Sequence, residues 1–307
     1  MGKLIISYDC EGMWGMMDKI DSLDKNIFNR NALLKLYQEL LELHEKFNLK
    51  ATFGFVGGFV SSRKDFFEAL DKYPGAERVK KWCKPIIKSD SQFIEKDFFI
   101  PELLELVKNS FVKHEITSHG YSHVIMDNKI DKLSIDFELF GLRQINKAKK
   151  LKMKTIIFPR NIVNKVFLEK MKTIKCYRAP PYTPFKNSLI KRVYSLLKEL
   201  IVICSSEKIY KSKELTIIPG SFFINWRFGP RKYVPIWLTI IRLRSALRHA
   251  CKTNGIVHLW AHPHNLATGK KQKELLERIF CEVNYFKKNR SLKVFTLEEA
   301  MYDFNKN

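Results

Sequence analysis

The chain has 307 residues, 45% of them hydrophobic, and a formal net charge of +23; that is material for a sizeable core, and an α/β barrel of this length folds as one domain over residues 1–307. No apolar run approaches the roughly 20 residues needed to span a bilayer, and the first residues carry no signal-type apolar core or cleavage site, so the expectation is a cytoplasmic protein. The positive excess selects anionic partners, either a phosphorylated substrate or an anionic membrane surface, whereas scattered lysines, with no zinc-finger spacing, RNP-like string or basic tail, speak against nucleic acid.

Short apolar runs alternate with longer periodic segments. A strand over 3–8 leads into Ser7-Tyr8-Asp9-Cys10-Glu11-Gly12; a helix over 31–47 and a strand over 51–56 follow. Segment 60–100, with mixed charges and two Phe-Phe pairs, predicts an inserted region beside the site, either a lid or a peripheral loop. A helix over 101–110 precedes a strand over 115–118, which opens onto Ser118-His119-Gly120-Tyr121-Ser122-His123. Next come a helix over 131–150, a strand over 155–158 ending at Phe158-Pro159-Arg160-Asn161, and a helix over 163–171. A strand over 174–177 runs into Tyr177-Arg178-Ala179-Pro180-Pro181-Tyr182, followed by a helix over 186–199 and strands over 201–204 and 215–218. A helix over 235–252 precedes a strand over 256–260 that carries His258-Leu259-Trp260-Ala261-His262-Pro263-His264-Asn265; a helix over 270–288, a strand over 293–295 and a helix over 297–304 complete the chain. Continuously apolar strands alternating with helices predict a buried parallel sheet. Seven or eight such units predict a distorted (β/α) barrel. The chemistry-bearing strings fall at the C-terminal ends of predicted strands, where barrel loops build active sites.

Asp9 and Glu11 are two apart in an extended segment, so both carboxylates can face one site, one ligating a metal and the other acting as general base. His119 and His123 are four apart; on a helical turn that spacing brings both rings to one side, as two zinc ligands require. One carboxylate and two histidines leave a coordination position open; zinc suits these donors, and so do cobalt, nickel and iron. Arg178, read alone, fits a salt bridge at the barrel mouth. Arg160, Asn161, Trp260 and His264 are candidates to contact substrate, as is Asn265, and His258, within its strand, reads as core. The six cysteines include no Cys-x-x-Cys pair and read as buried thiols. Residues 226–252 combine Trp226, Tyr233 and Trp237 with Arg242, Arg244 and Arg248, a basic amphipathic stretch that either packs on the barrel or lies in a membrane interface.

Taken together and in order, these strings resemble the motifs of the polysaccharide deacetylases, the NodB-homology family (carbohydrate esterase family four), over roughly residues 1–300. The resemblance implies a metal-dependent hydrolase that removes an N-acyl group, acetyl or formyl, from an amino sugar. It assigns Asp9 as the base, Glu11, His119 and His123 as metal ligands, Arg178 as the residue that orients Asp9, and His262 as the general acid. Asp-x-Glu replaces the family's usual adjacent acids, which leaves the roles of Asp9 and Glu11 open to exchange. Pro181 stands where the family's backbone N–H stabilises the oxyanion and has none to give; either Tyr182 supplies it after a one-residue shift, or the metal carries more of the load. The family's fourth motif has no counterpart, so the partner of His262 is unidentified. The string at Phe158-Pro159-Arg160-Asn161 resembles a subgroup of surface-polysaccharide biosynthesis. With a cytoplasmic location and a basic chain, that implies a nucleotide- or polyprenyl-phosphate-linked substrate. Hydrolysis of a non-sugar amide on the same scaffold, and a non-catalytic sugar-binding relic, are the alternatives.

Overall fold

The computed structural model describes residues 1–88, 91–180, 197 and 206–306. Its sheet is built around strand β1 (Gly2–Cys10), whose Leu4, Ile5 and Ile6 are fully buried. On one side β1 pairs in parallel with β9 (Ile256–Ala261) from Lys3 to Tyr8. On the other, its first half pairs with β10 (Leu292–Phe295) and its second half, Ser7 to Cys10, with β2 (Thr52–Phe55). Parallel pairing continues through β3 (Glu115–Ser118), β4 (Thr155–Ile156), β5 (Cys176–Ala179) and β7 (Leu215–Pro219). Short β6 (Tyr210–Ser212) hooks antiparallel onto β7.

The sheet curls round through the chain itself. After β7 only Gly220 and Ser221 intervene before β8 (Phe222–Phe223), which pairs with β9. One stretch of backbone therefore reaches both ends of the sheet. Two hydrogen bonds stitch it: Gly220 N–H donates to Ala179 O at 3.1 Å, and His258 N–H to Ser221 Oγ at 3.0 Å. The predicted distorted (β/α) barrel is the observed architecture, with β6 and β8 as additions too short to give a period.

Helices cover the strands as their apolar spacing requires. Arg30–Phe47 starts where Asn29 Oδ1 accepts Ala32 N–H and stops at Asn48 in the left-handed region (φ 46°). Between these caps it buries Leu33, Leu36, Tyr37, Leu40, Leu41 and His44 along one stripe. Replacing one of its leucines by alanine would cost about 2–5 kcal/mol. Lys132–Ala148 begins at Asp131, whose side chain accepts Ser134 N–H. Ile236–Thr253 turns Leu243, Ala246 and Leu247 inward and leaves Trp237 and Ile241 exposed. The helix predicted at 186–199, residue 197 apart, and the strand at 201–204 lie outside the described residues.

Segment 60–100, expected as an inserted region beside the site, is built largely of short helices, Arg63–Lys72, Glu77–Trp82, Lys84–Ile87 and Glu95–Phe98. Phe66, Val79, Phe98 and Ile100 are buried. Trp14, in the 3-10 turn Gly12–Ser22 that follows β1, packs edge-on to Phe66 and Phe99, and its Nε1–H donates to Phe98 O at 2.7 Å. The irregular sequence is a wall fixed beside the C-terminal end of β1. Among the described cysteines Cys10, Cys83 and Cys176 are buried free thiols, whereas Cys281 is exposed.

Candidate metal centre and active site

Glu11, His119 and His123 converge at the C-terminal ends of β1 and β3, all buried, with one ligand atom of each within 4.8 Å of the others. Glu11 Oε2 is 3.2 Å from His119 Nε2 and 2.7 Å from His123 Nε2. The rings, 4.9 Å apart, are not brought together by a helical turn, as the spacing predicted. The chain bends instead, with Gly120 at φ 77° and His123 itself at φ 62°. Gly120 needs its freedom from a Cβ; His123 holds a left-handed conformation that is costly for a side-chain residue and that clusters at functional sites.

The residues fit a divalent cation. His119 Nδ1 lies 2.8 Å from Ile157 O, to which it can only donate, so in the neutral ring Nε2 presents a lone pair to the Glu11 carboxylate. Neither ring nitrogen of buried His123 makes a hydrogen bond among the described residues, although Nε2 is in close contact with Glu11. Lone pairs and an anionic oxygen facing one another call for a positive centre, and two imidazoles with one carboxylate are a donor set that suits zinc with an open position. Gly15 completes the cradle: a Cβ there would lie 2.1 Å from Glu11 Cδ.

Asp9 sits beside this group, 3% exposed. Arg178, wholly buried in β5, grips it with both nitrogens: Nη1 to Oδ1 at 2.6 Å and Nη2 to Oδ2 at 2.7 Å. The expectation that Arg178 ends its strand shifts slightly, because β5 starts two residues later and contains it. Asn161, at φ 57°, accepts from Arg178 Nε at 3.1 Å and Nη2 at 2.9 Å. Trp260 lies under the guanidinium, 4.6 Å from its centre. Ser7 Oγ is 2.8 Å from His258 Nε2 and accepts from Arg178 Nη1 at 3.4 Å. Asn161 and Trp260, taken from the sequence as substrate contacts, therefore hold Arg178, and buried His258 supports it from behind. Arg160 is engaged too, 2.8 Å from Asp18 and over the ring of Trp82 at 5.1 Å.

His262 follows β9 and places Nε2 3.5 Å from Glu11 Oε1 and 4.0 Å from Asp9 Oδ2. Its side chain is 23% exposed, more open than its neighbours in the site. Asn265 Nδ2 stands 3.5 Å from its Nδ1, and the His264 ring stacks on it at 5.2 Å. No carboxylate orients its Nδ1 among the described residues. Tyr182, with Pro181, lies outside them.

Charge is organised sharply here. Burial raises the Asp9 carboxyl, but Arg178, His119 and His262 outweigh it and hold the group below the usual carboxylate range. Burial likewise opposes ionisation of Glu11, yet His262, His123 and His119 bring it well below its ordinary value. Burial pulls His119 down, and the Asp9 and Glu11 carboxylates more than reverse that. His264 is driven down to about 3 by burial and then by His262, so it is neutral.

One residue here escaped sequence reasoning. Glu138, fully buried on helix Lys132–Ala148, accepts Tyr121 N–H at 2.6 Å and Ser122 N–H at 2.8 Å, and the Ser122 hydroxyl as well. It ties down the turn between the two histidines. Its signal was an acid inside the apolar stripe of Ile135, Leu139 and Leu142.

The fold and this mouth define a curled (β/α) barrel bearing a carboxylate–bis-histidine group beside an arginine-clamped aspartate. No family model and no curated protein matches the sequence. Solved structures match its fold: an assigned polysaccharide deacetylase from Mycobacterium smegmatis superposes on 99% of this chain and 90% of its own, with a TM-score of 0.60 at 12% identity. Peptidoglycan deacetylase PdaC from Bacillus subtilis covers 99% of this chain and 92% of its own (TM-score 0.44, 9% identity). BA3943, a CE4 family pseudoenzyme from Bacillus anthracis, covers 98% and 66% (TM-score 0.47, 12% identity). At these identities the likeness is one of fold, carried by the Mycobacterium smegmatis structure: the chain has the barrel of the polysaccharide deacetylases.

Proposed function

We propose that this protein is a metal-dependent hydrolase that removes an N-acyl group, acetyl in the first instance, from a phosphate-linked amino sugar destined for cell-surface polysaccharide. The observation that carries the reading is the buried Glu11–His119–His123 group next to an aspartate held by an arginine through both oxygens. Bound there, a divalent cation would supply Lewis-acid polarisation of an amide carbonyl and a more acidic water. Asp9, kept ionised by Arg178, takes a proton from the attacking water. The fork of Arg178, fixed by Asn161 and Trp260, holds the carboxylate in one orientation. His262, the partly open group of the site, delivers a proton to the departing amine from Nε2. Glu11, His119 and His123 would hold the cation, and Asn265 beside Nδ1 sets the facing of His262.

Exposed Phe228, Tyr233, Trp237 and Ile241 around the start of helix Ile236–Thr253 support a substrate met at an anionic membrane surface. The test begins with elemental analysis of untagged protein purified without added metal, followed by a screen of N-acylated amino sugars with and without phosphate. About one divalent ion per chain with acetate release from an amino sugar supports the reading. Protein that takes up no metal when zinc is supplied, or that hydrolyses only a non-sugar amide, overturns it.

A further inference from the structure

A cavity of about 460 Å³ opens beside the metal group, with Asp18, Arg78, Lys81, Trp82, Lys84 and Val124 in its wall. Its walls grow out of the site itself. Met17 and Asp18 belong to the 3-10 turn that follows Glu11, and Val124 and Ile125 follow His123 directly. Trp82 connects the cavity and the site, its ring 5.9 Å from that of His123 and 5.1 Å from the Arg160 guanidinium above it. The volume is that of a small-ligand site, and helices Glu77–Trp82 and Lys84–Ile87 supply much of its wall.

The lining is cationic. Arg78, Lys81 and Lys84 recur every three residues, and the lining holds one carboxylate, Asp18, which Arg160 already engages. Arg78 is paired with Asp127 at 2.6 Å. Lys81 and Lys84 are exposed and have no carboxylate partner among the described residues. Two uncompensated ammonium groups over a concave, partly apolar wall favour a compact dianion within reach of the metal group.

We propose that this cavity is the subsite for the phosphate ester of the substrate: the N-acyl group is presented at Glu11, His119 and His123 while the phosphate on the same sugar rests against Lys81, Lys84 and Arg78. The inference rests on the amino-sugar reading above and adds the part of the substrate that is selected. Nucleotide diphosphate sugars and polyprenyl diphosphate sugars carry the same recognised group, so the test includes both.

The variant is Lys81→Glu/Lys84→Glu in the metal-loaded protein; both side chains are exposed, so the fold is expected to be retained, with circular dichroism as the check. Calorimetry with glucosamine 1-phosphate and with glucosamine gives a readout independent of turnover. The expected result is a Kd for the phosphorylated sugar raised about 10- to 100-fold, the loss of charge-assisted contacts, with glucosamine unaffected. In turnover, UDP-N-acetylglucosamine and a short-chain polyprenyl diphosphate N-acetylglucosamine should each lose kcat/KM by a similar factor, mainly through KM, while neutral N-acetylglucosamine keeps its value; whichever phosphorylated sugar the unaltered protein prefers identifies the source. Lys81→Arg/Lys84→Arg should retain most of the affinity. Equal binding of the phosphorylated sugar by wild type and the charge-reversed protein overturns the subsite. Charge-dependent binding without hydrolysis of any N-acyl sugar leaves the cavity as a sugar-phosphate site and overturns the hydrolase reading instead.

Discussion

Asp9 and Glu11 leave the same strand two residues apart, both buried, and meet opposite surroundings. Both oxygens of Asp9 are occupied by one guanidinium from β5. Glu11 shares Oε2 between two imidazole nitrogens that follow β3. The period of two in a strand delivers both acids to one mouth, but it is the neighbouring strands that decide what each can do. A carboxylate saturated by arginine is oriented and ionised, with little room for a cation. A carboxylate facing lone pairs is short of one positive charge.

The largest expected effect tests the Glu11 half. His119→Ala or Glu11→Ala should lower bound metal from about one ion per chain to near zero and abolish deacylation, as elemental analysis and an acetate-release assay would register. Asp9→Asn should keep the metal and lower the rate by about 10²–10⁴, the range for a lost general base. Were Asp9→Asn to shed the metal while Glu11→Gln kept it, the two roles would be exchanged, the possibility that the extra residue between them raised. Next in size is the clamp. Arg178→Met leaves Asp9 buried without its countercharge and should destabilise the fold by about 3–5 kcal/mol in urea titrations. Combining it with Asp9→Asn should recover part of that loss, because the unpaired charge is then gone; additive losses would mean that the pair is not coupled.

How much of this was legible follows from the same two residues. The strand that delivers them, and the helix expected over 31–47, were readable because continuous apolar runs and a stripe every three to four residues are local signals. The carboxylates, histidines and Arg178 were readable as strings at strand ends. The partners of Arg178 were not: Asn161, Trp260 and Ser7 come from three other strands or their ends, and only the curled sheet shows that they face the guanidinium instead of open solvent. The turn holding His119 and His123 was misread as helical because a spacing of four is shared by a helix and by a bend with two positive-φ residues. Segment 60–100 gave no period because its helices are only four to ten residues long, yet its aromatics found a wall to pack on.

The smallest effect concerns how the Glu11 half is held. Glu138 is a second buried acid, but it faces backbone N–H groups and a hydroxyl instead of a countercharge. Those bonds favour its ionised form; burial wins and pushes the carboxyl from 4.5 up to about 7. In the unfolded chain the group titrates near its ordinary value, so between about pH 4.5 and 7 the folded protein holds a proton that the unfolded one has released. Its contribution to stability is full below that window and is lost as pH rises through it, on the order of 3 kcal/mol at most. Glu138→Gln cannot ionise, so its stability curve should lack this fall, and the gap between wild type and variant in urea midpoints should narrow from pH 5 to pH 8. Since the glutamine must turn its amide nitrogen toward one of the donors now satisfied, the His119–His123 turn should also loosen, which zinc affinity would register as a loss of about 10-fold or more. Parallel stability curves with unchanged metal affinity would mean that Glu138 only fills space, and that the turn is fixed by Gly120 and the packing of Tyr121 alone.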